Sequence, residues 1–162
     1  WREGVNYEID WGKWENQFSD EYVMLVRAHH FSKTNIFKNR DNRFWIDVSN
    51  HPNVNQLYWV ADILISDYSS ALFDFGLLGR PIISFAKDHD DYMKAYGLFM
   101  ENWAEVFPHG VMRTDDEIIS FISSMNYEKE CEISKQFVDS IVSHPGNATM
   151  ACLNRLFELL NK

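Results

Sequence analysis

Two adjacent serines, Ser69 and Ser70, lie where the sequence pattern best predicts a ligand-binding site. They follow an apolar run at residues 62–65 that predicts a buried strand, and they precede a helix predicted over residues 70–78. A strand that opens through a short polar turn into a helix brings backbone N–H groups to one point, where the helix dipole favours an anion. The pattern predicts phosphate binding. The alternative is that both hydroxyls only cap the helix.

A second polar cluster, Arg27, His29 and His30, ends the apolar run that starts at Glu21. Arginine offers a planar fork of donors to phosphate oxygens, and histidine donates a hydrogen bond or exchanges a proton near neutral pH. Ligands of an open parallel sheet bind at the carboxyl ends of its strands, so this cluster is a candidate for the same site. In the alternative, Arg27 pairs with a carboxylate and the histidines cap a helix.

Two carboxylates, Asp67 and Asp74, flank the serines. A carboxylate repels phosphate, so we expect Asp67 to accept hydrogen bonds from the backbone of its own turn. Asp74 lies one helical turn after Ser70 and on the same face. We expect Asp74 to support the turn as well, with a hydrogen bond to a substrate as the alternative.

Alternating strands and helices would position these residues. The pattern predicts an α/β domain with a parallel sheet, as one domain over residues 1–162 without an internal linker. A capping box at Thr114–Glu117 marks one helix start. The predicted strands cover residues 21–28, 44–48, 62–65 and 81–85, and the predicted helices cover 11–18, 54–60, 70–78, 115–125, 128–142 and 147–160.

Composition excludes several function classes. The net charge of -9 argues against nucleic-acid binding, which needs a basic surface. The chain has no GxGxxG or Walker loop, which argues against a dinucleotide dehydrogenase and a P-loop nucleotidase. Its histidines form no zinc-ligand pattern. We expect no cofactor and no metal. Cys131 and Cys152 fall in helical stretches and are predicted to be buried free thiols. No apolar run approaches the roughly 20 residues that span a bilayer.

Three segments together resemble a known family: Arg27–His29, residues 61–74 with their Asp67–Ser70 and Phe73–Asp74 blocks, and Leu78–Ile83. They resemble the CDP-glycerol:poly(glycerophosphate) glycerophosphotransferases, the teichoic acid polymerases of Gram-positive bacteria. The resemblance covers residues 1 to about 160, and residues 67–74 are its most specific part. The opening Trp1-Arg2-Glu3 resembles the end of a family motif, so we expect the chain to be part of a longer, two-domain protein.

The resemblance implies a Rossmann-like sheet, the carboxyl-terminal, donor-binding half of a GT-B type fold. It also implies transfer of glycerol phosphate from CDP-glycerol to a lipid-linked teichoic acid or capsule chain, with release of CMP and without a metal. By the same resemblance Ser69, Ser70 and His30 hold the pyrophosphate of the donor. Arg27 and His29 are then the catalytic residues, which neutralise charge on the phosphates and on departing CMP.

The remaining expectations also come from the resemblance. Gly146 and Asn147 would lie near the nucleotide ribose. The partners would be CDP-glycerol or a related CDP-polyol, the lipid-linked acceptor, and an amino-terminal domain that carries the catalytic base. Alone, the chain would bind cytidine nucleotides weakly and turn over nothing; the whole protein would lie in the cytoplasm at the inner face of the membrane. The alternatives are a GT-B glycosyltransferase domain that uses a nucleotide sugar, or a non-catalytic flavodoxin-like interaction domain.

Overall fold

The structure, a computed structural model, describes residues 9–28, 43–97 and 102–161. The chain divides into two compact units, the first made of residues 1–62, 85–97 and 112–125 and the second of residues 63–84, 98–111 and 126–162. The elements are α1 (Trp11–Phe18), β1 (Met24–Val26), β2 (Trp45–Asp47), α2 (Val54–Val60), β3 (Leu64–Ser66), α3 (Ala71–Gly76), β4 (Ile82–Phe85), α4 (His89–Ala95), α5 (Trp103–Val106), β5 (Val111–Met112), α6 (Asp115–Ser124), α7 (Tyr127–Ile141) and α8 (Ala148–Leu160).

The first unit contains a parallel pair of strands and a cluster of aromatic side chains. β1 and β2 pair in register from Met24↔Trp45 to Val26↔Asp47. Trp14 of α1 is buried, and its ring lies within 6.5 Å of the rings of Trp45 and Phe85. Asp10 is the N-cap of α1, and its carboxylate accepts the Lys13 N–H. Side-chain hydrogen bonds join α1 to α6 and fix that pair of helices.

The second unit contains all of β4 except Phe85, and this strand is buried along its whole length. β3 pairs with it in parallel, with Ser66 opposite Ser84, and β5 lies on its other side. The hydroxyl of Ser134, in the middle of α7, accepts the Ile82 N–H at 3.2 Å and so satisfies the start of β4. Helix α3 packs on α7, with Phe75 fully buried.

The predicted fold class, parallel strands with flanking helices, is confirmed, and the long helices begin and end within one residue of their predicted positions. Three differences stand out. The described strands form two sheets, β1-β2 and β3-β4-β5, rather than one continuous sheet. α3 ends two residues early because Leu78 and Gly79 donate to carbonyls three residues back, and Gly79 has a φ of +65°. α4, α5 and β5 were not predicted. The single-domain assignment stays a prediction.

Helix α8 lies outside the buried core of the described residues. None of its residues is buried, and its large apolar side chains are exposed. The predicted burial is therefore wrong for Cys152, which is exposed on α8, while Cys131 on α7 is half-buried. Both thiols are free. Within the described ranges, no helix is long and apolar enough to cross a membrane.

Candidate functional site

The turn between β3 and α3 contains both predicted serines, and their hydroxyls do different things. The Ser69 hydroxyl accepts the Ala71 N–H at 3.2 Å, and the Ser69 carbonyl accepts the Leu72 N–H at 3.2 Å. The Ser70 carbonyl accepts the Phe73 N–H at 3.0 Å. The turn therefore satisfies the first N–H groups of α3 itself, so the predicted convergence of free helix N–H groups is not found.

The donors left over belong to the serines. Ser70 is exposed, and its hydroxyl makes no cap hydrogen bond. Among the residues that the structure describes, nothing accepts a hydrogen bond from this hydroxyl or from the N–H groups of Ser69 and Ser70. With the proton of the Ser69 hydroxyl, which only accepts a bond here, four donors on two consecutive residues are thus available to an anion. Phosphate binding by Ser69 and Ser70 stays a prediction, but its physical basis changes from the helix terminus to these groups.

The turn is anchored to the core of the second unit by Ser84. Its hydroxyl, on β4, donates to the Asp67 carbonyl at 3.4 Å and accepts the Trp103 indole N–H at 3.1 Å. Ser84 is 1% exposed, so these bonds form away from water. The Trp103 ring also meets the Phe73 ring edge-on, with 5.6 Å between centroids. One buried hydroxyl and one indole therefore fix both the start of the turn and the first part of α3.

The two flanking carboxylates lie in different surroundings. Asp67 is half-buried, and Asp74 is exposed in the first turn of α3. The Asp74 N–H donates to the Ser70 carbonyl at 3.3 Å. Its carboxylate forms no hydrogen bond or ion pair with any residue in the described parts of the chain. The supporting role of both carboxylates stays a prediction, and Asp74 is placed on the exposed side of the turn beside Ser70.

Arg27 follows directly on β1, at the carboxyl end of the β1-β2 pair, and belongs to the first unit. It is exposed. Within residues 9–28, 43–97 and 102–161 its guanidinium has no carboxylate partner and no hydrogen bond, so the alternative of a structural ion pair finds no support there. His29 and His30 lie outside the described residues.

Sequence reasoning missed a hydrogen-bond network beside Arg27. The Ala28 N–H donates to the Ser49 hydroxyl at 3.0 Å, and the Ser49 N–H donates to the Asp47 carboxylate at 2.8 Å. Hydrogen bonds from the Ser49 hydroxyl and N–H hold the pKa of Asp47 below its usual value. The signal was present in the sequence, because an Asp two residues before a Ser at a strand end is typical of an Asx turn.

Gly146 and Asn147 lie in an exposed turn before α8. Gly146 has a φ of +73°, and Asn147 is the N-cap residue of α8, although its side chain makes no cap hydrogen bond. Their place near a nucleotide ribose stays a prediction. Among the described side chains, no group of three or more His, Cys, Asp or Glu is arranged to hold a metal ion.

Comparisons with known proteins bear on this site. A family model described as CDP-Glycerol:Poly(glycerophosphate) glycerophosphotransferase matches residues 2–158. The chain is 31% identical over 134 residues to the teichoic acid poly(glycerol phosphate) polymerase of Bacillus spizizenii, over 83% of this chain and 34% of that protein. It is 33% identical over 109 residues to the teichoic acid ribitol-phosphate polymerase TarK of Staphylococcus aureus, over 67% of this chain and 21% of that protein.

Solved structures of the wall teichoic acid polymerase TagF share the fold. One aligns with a TM-score of 0.72 and 28% identity over 99% of this chain and 41% of that chain. A His-to-Asn variant soaked with CDPG aligns with a TM-score of 0.69 and 28% identity, over 99% and 40% of the two chains. This likeness confirms the predicted GT-B type fold class, and the chain spans well under half of these relatives. The chain belongs to the CDP-glycerol:poly(glycerophosphate) glycerophosphotransferase family.

Proposed function

We propose that this chain is the donor-binding domain of a glycerophosphotransferase that uses CDP-glycerol. The observation that carries the proposal is the Ser69–Ser70 turn, which leaves one hydroxyl and two N–H groups without partners among the described residues. Membership of the family across residues 2–158 supports the choice of a CDP-linked donor.

In the proposed site, the donors of Ser69 and Ser70 hold pyrophosphate oxygens. By resemblance to the family, the Arg27 guanidinium supplies positive charge, and no described carboxylate pairs with it. His29 and His30 complete the set by resemblance to the family, as do Gly146 and Asn147 near the ribose. Positioned donors of this kind are the main source of rate enhancement in phosphoryl transfer, since charge accumulates on phosphate oxygens in the transition state.

The proposed reaction exchanges one bond to phosphorus for another. A hydroxyl oxygen of the acceptor attacks the phosphorus that carries glycerol, and a new P–O bond forms. The bond from that phosphorus to the bridging oxygen of the pyrophosphate breaks, and CMP departs with the bonding electrons. Arg27 and His29 stabilise the charge that develops on CMP. The acceptor proton passes to a base that we place in another domain of the same protein.

The acceptor and the location are part of the same proposal. Relatives of this chain are named as teichoic acid polymerases and as a glycerol-phosphate primase. We therefore propose a lipid-linked polyol-phosphate chain of teichoic acid or capsule as acceptor, which places the whole protein at the inner face of the cell membrane. The chain spans between 14% and 37% of the curated relatives that it matches. We therefore propose that an amino-terminal domain of the same protein completes the active site.

Calorimetric titration of the 162-residue chain with CDP tests the proposal. We expect binding by the wild type. Both Arg27→Ala and the double variant Ser69→Ala/Ser70→Ala should weaken it about 10- to 100-fold, as expected for the loss of charge-assisted hydrogen bonds. Arg155→Ala is the matched control, since Arg155 is an exposed arginine on α8 that pairs with Glu158. Absence of CDP binding by the wild type contradicts the function; binding that survives the serine substitutions contradicts the site.

The polyol is tested separately. Relatives include both glycerol-phosphate and ribitol-phosphate polymerases. We propose glycerol, so CDP-glycerol should displace bound CDP at lower concentration than CDP-ribitol does. UDP and a UDP-sugar should compete poorly. Stronger competition by a UDP-sugar would favour a glycosyltransferase domain instead.

A further inference from the structure

We infer that Ser49 is a positioning residue that holds the Arg27 end of β1 ready to bind the phosphates of the donor. The inference rests on the proposed function of Arg27. Ser49 lies in the turn that follows β2, the strand that pairs with β1. It belongs to no predicted site and would contact no phosphate itself, because it acts through the backbone beside Arg27.

The β1-β2 ladder ends beside Arg27. Parallel pairing continues one residue past β2, where the Val48 N–H donates to the Val26 carbonyl at 2.9 Å. In a continued ladder, the next N–H of the first strand, that of Ala28, would donate to a main-chain carbonyl. It donates to the Ser49 hydroxyl instead, at 3.0 Å. A side chain therefore replaces the ladder at the residue immediately after Arg27.

Ser49 is itself held in place by Asp47. Its N–H donates to the Asp47 carboxylate at 2.8 Å. The hydroxyl of the same residue accepts the Ala28 N–H. Asp47 is an anion at neutral pH, and hydrogen bonds from Ser49 hold its pKa below its usual value. The backbone that carries this hydroxyl is thus held beside Ala28.

Arg27 has an exposed side chain between two residues whose backbones are held. The residue before it is held by Val48 and the residue after it by Ser49, whereas its own side chain is exposed. A side chain on a fixed backbone loses less freedom when it binds a ligand than one on a flexible segment. The network therefore contributes to affinity for a phosphate without contacting it. A merely structural Ser49 would end the sheet and have no effect on ligand binding.

The experiment compares CDP with cytidine, which lacks phosphate, by titration calorimetry on the 162-residue chain. Ser49→Ala should weaken CDP binding about 3- to 10-fold, the loss expected for one hydrogen bond, and leave cytidine binding unchanged. Ser49→Thr keeps the hydroxyl and should bind CDP like the wild type. Ser123→Ala is the matched control, since it removes a serine hydroxyl of the same unit that bonds only Gln17 among described residues.

A double-mutant cycle with Arg27→Ala separates positioning from general stability. If Ser49 acts through Arg27, Ser49→Ala should change CDP affinity less than about 2-fold once Arg27 is gone. Equal effects in both backgrounds, or an equal loss of cytidine and CDP binding, would overturn the inference. Asp47→Asn keeps a side-chain oxygen that can accept the Ser49 N–H, so it should show a smaller effect in the same direction. No effect of either variant also overturns the inference.

These outcomes are distinct from failure of the proposed function. If the wild-type chain binds no CDP, the proposed function is wrong and this inference is wrong with it. If the wild type binds CDP and Arg27→Ala weakens that binding, while Ser49→Ala does not, the proposed function stands and only the role of Ser49 is rejected.

Discussion

Gly76 of α3 packs so closely against Val138 of α7 that a β-carbon on Gly76 would lie 2.5 Å from Val138 Cγ2. Val138 is 2% exposed, and the neighbouring Phe75 is fully buried. A buried branched side chain in a packed interface has no space into which it can move. This contact therefore sets the distance between α7 and the helix that follows the serine turn.

Gly76→Ala should destabilise the chain by about 1–3 kcal/mol, the usual effect of an extra methyl group in a packed core. The measurement is urea unfolding followed by circular dichroism. Gly12→Ala is the matched control, because a β-carbon there would meet only Asp10 Oδ1, at 3.7 Å. Because alanine restricts the unfolded chain more than glycine does, Gly12→Ala should raise the free energy of unfolding by about 0.5–1 kcal/mol.

A second variant tests the cause of the Gly76 effect. In a Val138→Ala background the clashing methyl group is absent, so Gly76→Ala should be less destabilising than in the wild type. Equal destabilisation in the two backgrounds would show that the clash with Val138 is not responsible.

Asp115 supplies a prediction about pH. Burial raises the pKa of its carboxyl, but the ion pair with Lys87 and the hydrogen bond from the Trp14 indole at 2.9 Å outweigh burial and hold the pKa below its usual value. A lowered folded-state pKa means that the carboxylate stabilises the fold above the unfolded pKa of about 3.9, and that this contribution is lost as pH falls through the folded pKa.

Asp115→Asn should therefore lower the free energy of unfolding by about 1–3 kcal/mol at pH 7, because Lys87 loses its charged partner while Trp14 keeps an acceptor. The difference from wild type should stay constant down to about pH 5 and shrink below about pH 4. Urea unfolding across this range measures it. Asp116→Asn is the control, since Asp116 forms an exposed pair with Lys13 and should have little effect. A difference that grows as pH falls would contradict the assignment.

Helix starts were predictable because their signals are local. Asp10 caps α1, and Thr114 and Glu117 form the complete capping box of α6. Strand partners were not predictable, since the split into β1-β2 and β3-β4-β5 depends on contacts between distant segments. The short elements α4, α5 and β5 are stabilised mainly by tertiary packing, so no periodicity marked them.

The position of the site in the chain was predictable, but the hydrogen bonds within it were not. Ser70 lies at the N-cap of α3, but its φ of −60° and ψ of −14° are helical, whereas a capping side chain needs an extended backbone. Ser69 therefore provides the side-chain oxygen instead. No sequence rule distinguishes two adjacent serines in this way. The Ser84 anchor was equally hidden, because it joins residues that are distant in the chain.

The Ser84 anchor gives a prediction about coupling. Ser84→Ala leaves the buried Trp103 indole N–H without its acceptor and should lower the free energy of unfolding by about 1–3 kcal/mol. In a Trp103→Phe background no indole N–H is present, so the further effect of Ser84→Ala should be smaller. Urea unfolding of the wild type, both single variants and the double variant gives the coupling energy. Additive effects would contradict the bond between these two side chains.

Substitutions of the two serines in the turn should have different effects on stability and on CDP binding. Ser69 accepts the Ala71 N–H, so Ser69→Ala should reduce the free energy of unfolding by about 0.5–2 kcal/mol, as the loss of a helix cap does. The Ser70 hydroxyl bonds none of the described residues, so Ser70→Ala should leave stability within about 0.5 kcal/mol of wild type. Yet Ser70→Ala should weaken CDP binding, because that hydroxyl is available to a phosphate. Urea unfolding and CDP titration of the two single variants measure both effects. A stability loss confined to Ser70→Ala, or CDP binding that depends on Ser69 alone, would mean that the two hydroxyls have the opposite roles.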